Sequence, residues 1–304
     1  MKKRKTANEK AGVRIFGKEC YVSNDTYKTK LNNNDLLIGA AGSGKSTVVI
    51  QNAIMTDDNI VCTDVKGSLY KLCAPALRAH GFEVKRISFT SPLESSAFDP
   101  LHYIRYTLDE DGSKIYNEQD IFTVAEMLCP ERGSREPFWE RGAQNFIVCL
   151  IAFVLMSFPE QEHNLAIVAD VFRLCGDIIG NKTVGFLDEF SFMTPDTLVA
   201  RTYANAKKCF SADRTWSCID GIIGASFSKY EGREIRELLK REEDFRFEDL
   251  ADKKMALFIE VSDLDRCFDG IINLMYSNIL LTLCRIADKK DNGRLDRHVR
   301  FWFD

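Results

Sequence analysis

The sequence contains little histidine and proline, and its cysteines show no metal-binding or paired spacing. Only 4 histidines and 7 prolines occur among 304 residues, and the 10 cysteines contain no C-x-x-C motif. These features argue against a zinc site and against a disulfide framework, so we interpret the cysteines as reduced and mostly buried. With 45% hydrophobic and 28% charged residues, the composition is that of a globular protein.

The sequence also lacks an excess of basic residues and a long apolar run. It has 41 Lys and Arg residues against 45 Asp and Glu residues, so any contact with nucleic acid must be local. The longest apolar run, residues 146–158, is shorter than the ~20 residues that cross a bilayer and predicts a buried helix. No apolar stretch of signal-peptide length follows the basic residues 1–5. We therefore expect no transmembrane segment in this chain.

Hydrophobic periodicity divides the chain into three regions. From residue 12 to 98, short apolar runs alternate with helical patterns, as in a parallel sheet covered by helices. Helical spacing dominates from about residue 111 to 251, and the first rhythm then returns. We expect an α/β domain formed by residues 1–110 and 252–304, interrupted by an inserted all-helical domain of residues 111–251. The predicted strands of the α/β domain are 35–38, 59–63, 83–89, 255–261 and 299–303, and its predicted helices are 46–55, 69–80 and 270–287.

A phosphate-binding motif lies between the first predicted strand and the first predicted helix. Residues 39–46 read GAAGSGKS and match the pattern G-x-x-x-x-G-K-[ST]. In this motif the backbone N–H groups turn inward around a phosphate, and the helix N-terminus adds partial positive charge. We predict that Lys45 reaches the β- and γ-phosphates of a nucleotide and that the Ser46 hydroxyl binds Mg²⁺. The predicted nucleotide-binding residues are Gly39, Ala40, Ala41, Gly42, Ser43, Gly44, Lys45, Ser46 and Thr47.

Such a loop requires an acidic residue at the end of a neighbouring strand, and two candidates compete. Asp188 lies in the helical region, where the start of a helix is the simpler interpretation. Asp304 follows the predicted strand 299–303, and we select it as the metal ligand and as a catalytic residue with Lys45. Asp64 and Lys66 follow the predicted strand 59–63 and form a possible edge of the site, although their spacing is also typical of a turn with a local ion pair.

The motifs occur in an order that resembles the type IV secretion coupling proteins, the TraG/TraD-like conjugative DNA transfer ATPases. The similarity covers nearly the whole chain from about residue 36, and Val65 and Asp99 stand where the family motifs have Pro and Asn. The segments that carry it beyond the P-loop are 63–67, 98–101, 136–139, 256–259 with Asp263 and Asp265, and 298–304.

This resemblance implies a RecA-like P-loop domain with an inserted helical domain, which binds ATP and Mg²⁺ and assembles as a homohexamer. It implies that the protein moves single-stranded DNA, with a relaxase or another secretion substrate, into a type IV secretion channel. Members of the family usually begin with transmembrane helices and continue beyond the aspartate with a glutamate. Because neither feature is found in these residues, we expect a cytoplasmic chain, peripheral to the membrane, that binds ATP but hydrolyses it slowly.

Two alternatives stay open at this point. A double-strand DNA pump of the FtsK/HerA type shares the Asp-x-Lys-Gly neighbourhood, but the large helical insertion disfavours it. A non-hydrolysing nucleotide-binding adaptor or truncated relic would keep the P-loop and dock substrate through its helical domain.

Overall fold

The computed structural model describes residues 12–303, apart from Arg132, residues 134–136 and Asp265. The basic residues 1–5, Glu136, Asp265 and Asp304, which the sequence analysis singled out, therefore lie outside the described residues. The chain folds as two compact units. The first takes in the described residues of 12–96, 245–264 and 280–303, and the second those of 97–244 and 266–279.

The strands form one parallel sheet and two antiparallel hairpins. Their bounds are β1 (Val13–Gly17), β2 (Cys20–Ser23), β3 (Asn59–Val65), β4 (Glu83–Ser88), β5 (Tyr106–Leu108), β6 (Lys114–Tyr116), β7 (Met255–Val261) and β8 (Val299–Trp302). The parallel sheet belongs to the first unit and has the order β4-β7-β3-β8. The hairpin β1–β2 also lies in the first unit, whereas β5–β6 lies in the second.

Helices occupy most of the remaining chain. Their bounds are α1 (Thr26–Thr29), α2 (Lys45–Met55), α3 (Ser68–Ala79), α4 (Glu118–Leu128), α5 (Phe138–Ser157), α6 (Leu165–Leu174), α7 (Ile178–Asn181), α8 (Gly185–Met193), α9 (Leu198–Phe210), α10 (Asp213–Ser228), α11 (Arg233–Lys240), α12 (Asp249–Asp252) and α13 (Asp269–Asp288). Short 3₁₀ turns lie at Pro92–Glu94, Pro100–Tyr103 and Glu160–Glu162.

The two central strands of the parallel sheet form the core of the first unit. Six consecutive residues are buried in both β3 and β7, as is typical of parallel strands covered on two faces. Apolar residues of α2 and α3 pack with these strands in one core, and at its centre Ile60, Leu77 and Phe258 are almost completely buried. The sheet thus fixes the positions of the helices that follow its strands.

The second unit is organised around α5. The residues from Phe146 to Ile151 are completely buried, and the ring of Phe146 packs edge-on against Trp216 at a centroid distance of 5.2 Å. This helix begins before the predicted run, since its first turns, from Phe138, are mixed in polarity. By length and composition α5 and α13 could each cross a membrane, but a core helix of a soluble protein meets the same criteria, and 56% of the apolar window of α5 is buried.

Most predicted elements of the α/β region are confirmed, with one exception beside the P-loop. Residues 35–38 form no strand, and Leu36 and Ile38 are 84% and 88% exposed. The apolar run has only three residues, so a strand there would gain few hydrogen bonds. Arg14 also ties Asn33 and Asp35, at the start of this segment, to the hairpin β1–β2. A second difference is the strand β6, which lies within the region expected to be all helical.

Candidate functional site

The predicted phosphate-binding loop is exposed and leads directly into a helix. The helix α2 begins at Lys45, and its N-cap residue Gly44 has a left-handed backbone with φ of 90°. No side chain caps this end, and its first turn contains no acidic residue. The first backbone N–H groups of a helix lack intrahelical partners. The positive end of α2 is therefore left available to an anion.

The side chain of Lys45 folds back onto the loop. Its Nζ atom donates hydrogen bonds to the carbonyl oxygens of Gly39 at 2.6 Å and Ala40 at 2.9 Å. Within the described part of the chain, Lys45 forms no ion pair with a carboxylate. Its positive charge is therefore balanced only by carbonyl dipoles, and phosphate oxygens would be stronger partners.

The neighbouring residues fit a phosphate bound with a divalent cation. Ser46 and Thr47 are exposed in the first turn of α2, so the Ser46 hydroxyl is accessible as an oxygen ligand. The loop itself is tight, because a Cβ atom at Gly39 would lie 2.4 Å from the Oγ atom of Ser43. In P-loops, backbone N–H groups and a lysine ammonium group bind the nucleotide phosphates, and a Ser or Thr hydroxyl binds the Mg²⁺ ion.

A cavity of about 550 Å³ adjoins Lys45 and Ser46. It is lined on other sides by residues 33–37 and by 298–303, which include β8. The indole Nε1 atom of Trp302 is buried without a hydrogen-bond partner among the described residues. The cavity thus lies next to the phosphate-binding loop.

Asp64 and Lys66, the predicted edge of the site, have separate partners. The buried carboxylate of Asp64 accepts hydrogen bonds from the backbone N–H groups of Leu69 at 2.9 Å and Tyr70 at 2.7 Å, so it caps α3. Burial raises the pKa of Asp64 despite these bonds. The Lys66 ammonium group lies 2.8 Å from the carboxylate of Asp263 at an exposed position. The structure thus gives both residues local roles, and a further role at the site edge stays a prediction.

The two acidic candidates for the metal differ in their setting. Asp188 lies in α8, as the helical interpretation predicted, and its carboxylate accepts a hydrogen bond from Lys207 at 2.5 Å. Asp304 lies outside the described residues, so its role as a metal ligand and catalytic residue stays a prediction.

Sequence reasoning missed a buried ion pair at the carboxyl ends of β4 and β7. The Glu260 carboxylate accepts hydrogen bonds from the Arg86 Nε atom at 2.8 Å and from the Thr90 hydroxyl at 2.7 Å. Gly67 adjoins this pair, since a Cβ atom there would lie 2.9 Å from Glu260. The only signal in the sequence is an acidic residue within the apolar run MALFIEV. No recognised motif contains it.

Comparison with known proteins assigns the chain to a family. The model of the family described as type IV secretory system conjugative DNA transfer matches residues 2–304. The chain therefore belongs to this family, as the order of its motifs indicated. Comparison with curated protein sequences gives no significant match.

Solved structures show the fold class. The chain is similar to the bacterial conjugative coupling protein TrwBdeltaN70 in its unbound monoclinic form, with 15% identity and a TM-score of 0.51 over 86% of this chain and 53% of that one. It also matches the plasmid coupling protein TrwB in complex with ADP and Mg²⁺, with 12% identity and a TM-score of 0.42 over 93% of this chain and 63% of that one. The chain thus spans about half to two thirds of the length of these relatives. The expected α/β fold class with a parallel sheet is confirmed.

Proposed function

We propose that this chain is the ATP-binding part of a conjugative coupling protein. The observation that carries this proposal is the ammonium group of Lys45, without a carboxylate partner among the described residues, beside the uncapped N-terminus of α2 in a chain of the conjugative DNA transfer family. An exposed loop with an uncompensated cation and free N–H groups binds a polyanion of the size of a triphosphate.

The residues of the loop divide the binding of ATP between them. Lys45 releases its two carbonyl partners and pairs with the phosphates, while the backbone of residues 39–44 supplies N–H donors. The Ser46 hydroxyl binds Mg²⁺, and Asp304 is proposed as the second protein group that holds the metal. In the complete protein, hydrolysis of ATP held by these residues would supply the free energy for movement of the substrate.

Membership in the family supports a proposal for the wider activity. In the complete protein we infer that a homohexamer hydrolyses ATP and moves single-stranded DNA, with its relaxase or another secreted substrate, into a type IV secretion channel. We propose that the helical insertion, expected at residues 111–251, receives this substrate, and that the protein works at the cytoplasmic face of the membrane. The membership of the chain in the conjugative DNA transfer family supports these assignments.

Binding of ATP tests the first step directly. Lys45→Ala removes the only cationic side chain of the loop, and we expect ATP affinity in the presence of Mg²⁺ to fall by about 100-fold or more, as measured by isothermal titration calorimetry. Lys71→Ala, at an exposed position in α3, is the matched control and leaves the affinity unchanged. Equal affinity of wild type and Lys45→Ala would refute the site.

Hydrolysis separates a motor from an adaptor. We expect ATPase activity of the complete gene product that rises when single-stranded DNA is added and is lost in Lys45→Ala. Binding of ATP without DNA-stimulated hydrolysis in the complete protein would favour the adaptor. Stimulation by duplex DNA alone would favour a pump of the FtsK/HerA type.

A further inference from the structure

The hairpin β1–β2 contacts the chain on both sides of the P-loop. After the loop, the side chain of Asn52 in α2 binds the hairpin, and before the loop, residues 33–35 bind it through Arg14. All of these residues belong to the first unit. The loop between the two anchors is itself exposed.

The first anchor is a buried amide. The Oδ1 atom of Asn52 accepts a hydrogen bond from the backbone N–H of Ile15 at 2.9 Å, and its Nδ2 atom donates to the carbonyl of Ile15 at 2.7 Å. The same Nδ2 atom donates to the carbonyl of Val48 at 2.8 Å. Asn52 is 4% exposed and so satisfies both backbone groups of one strand residue, as a neighbouring strand would.

The second anchor is a buried cation. Arg14 is 2% exposed, and its Nη1 atom donates to the Oδ1 atom of Asn33 at 2.9 Å. Its Nε atom lies in ion-pair range of the Asp35 carboxylate at 3.3 Å but forms no hydrogen bond among the described residues. A buried guanidinium group is costly to desolvate unless it is paired. Arg14 therefore fixes the segment that ends four residues before Gly39.

The anchors act on adjacent residues of one strand. Arg14 and Ile15 pair with Val22 and Tyr21 of β2, so both anchors belong to one ladder of the hairpin. We propose that this hairpin positions the P-loop for nucleotide binding, with Asn52 and Arg14 as positioning residues. This inference rests on the proposed function, because it concerns the geometry of the same nucleotide site.

The alternative is that these contacts only stabilise the fold. The two roles predict different effects of a substitution. Loss of a positioning contact lowers the affinity of the folded protein for nucleotide, whereas loss of a purely stabilising contact leaves that affinity unchanged. A displacement of the loop by about 1 Å disturbs several phosphate contacts at once, and affinity falls without any group that touches the phosphates being changed.

The test is the affinity of Asn52→Ala for ATP and ADP with Mg²⁺, measured by calorimetry well below the unfolding temperature. We expect both affinities to fall about tenfold, because the phosphates common to the two ligands are affected. Hydrogen exchange of residues 39–46 should become faster in the same variant. The matched control is Asn145→Ala, which removes one hydrogen bond at 2.8 Å, from a helical Asn to the carbonyl of Thr202, in the second unit.

The outcomes separate the two proposals. Absence of ATP binding by wild type would refute the proposed function itself. Binding by wild type with unchanged affinity in Asn52→Ala, or an equal loss in Asn145→Ala, would overturn the positioning role alone. If Asn52→Ala does not fold, Asn33→Ala removes one of the two partners of Arg14 instead. A decrease in its affinity with faster exchange of residues 39–46 supports the proposal, and unchanged affinity overturns it.

Discussion

The carboxylate of Asp99 accepts a hydrogen bond from the backbone N–H of Leu165 at 2.8 Å, and its other oxygen accepts one from Leu101 at 2.9 Å. One buried side chain thus caps both the 3₁₀ turn that follows it and α6. The pKa of Asp99 is raised to about 7, mainly because the carboxyl group is buried. The nearby charge of His102 lowers the pKa and that of Glu243 raises it further, so the value of 7 is the net result.

This pKa predicts a dependence of stability on pH. Because the folded pKa lies above that of an unfolded aspartate, the native state binds more protons between about pH 4 and pH 7. The contribution of Asp99 to stability is therefore complete at low pH and is lost as the pH rises through 7. In thermal melts, the difference in Tm between wild type and Asp99→Asn should change across this interval. The control is Asn164→Ala, which removes a non-titrating cap of α6 and should give a difference in Tm that does not depend on pH. A pH-independent difference at Asp99 would contradict the prediction.

Substitution of Gly67 and Gly81 by alanine compares two ways of destabilising the fold. Both variants strain the backbone, but only the one at Gly67 also creates a close side-chain contact. Both have positive φ, 69° and 82°, but only Gly67 adjoins another side chain, that of Glu260. We expect Gly81→Ala to lower the free energy of unfolding by about 1 kcal/mol through its backbone alone. Gly67→Ala should lower the free energy of unfolding by about 1–3 kcal/mol more than Gly81→Ala does, because the Glu260 side chain is held in place by its partners. Native-state hydrogen exchange of β7 measures both. Equal losses would show that Glu260 moves aside.

The buried pair of Arg86 and Glu260 predicts a large effect of removing one partner. Their side chains are 10% and 8% exposed. Arg86→Met leaves a buried carboxylate without its cation and should cost about 3–5 kcal/mol, measured by hydrogen exchange of β7. Lys253→Met removes a cation that pairs with Asp249 at a largely exposed position in the same unit, and should cost less than about 1 kcal/mol. Similar losses in the two variants would argue against a buried charge at Glu260.

The cysteines should differ sharply in their reactivity. Burial raises the pKa of Cys149 to about 12 and that of Cys73 to about 11. Since the thiolate is the reactive form, these thiols should resist alkylation of the folded protein at pH 8. Mass spectrometry after brief treatment with iodoacetamide should find label first at the exposed thiols of Cys20, Cys218, Cys267 and Cys284. All ten should react in urea, and early labelling of Cys149 in native protein would contradict its burial.

The sequence was most informative where local pattern and burial agree. The strands β3 and β7 are continuous apolar runs, and α2 follows a motif with a defined start, so their positions could be predicted closely. The run Leu36–Ile38 looks equally apolar, but pairing depends on partners that periodicity does not describe. The strand prediction failed there for this reason.

The contacts that support the loop were beyond prediction from motifs. Asn52 lies on the buried face of α2 beside Val48 and Ala53. A polar residue on this face was the only signal in the sequence that Asn52 contacts the hairpin. Arg14 lies about 25 residues before Gly39, and only the folded hairpin brings it to Asn33 and Asp35. Long-range polar contacts of this kind leave no periodic trace in a sequence.

The strand β8 stands last in the order of the parallel sheet, with no further strand beyond it among the described residues. Its outer backbone groups can template another chain, and the exposed side chains of Leu36 and Ile38 lie in the adjoining segment. We therefore expect this border to favour association between copies of the polypeptide in concentrated solution, which light scattering would detect. Adding a lysine there, as in Ile38→Lys, is a direct way to keep the material monodisperse.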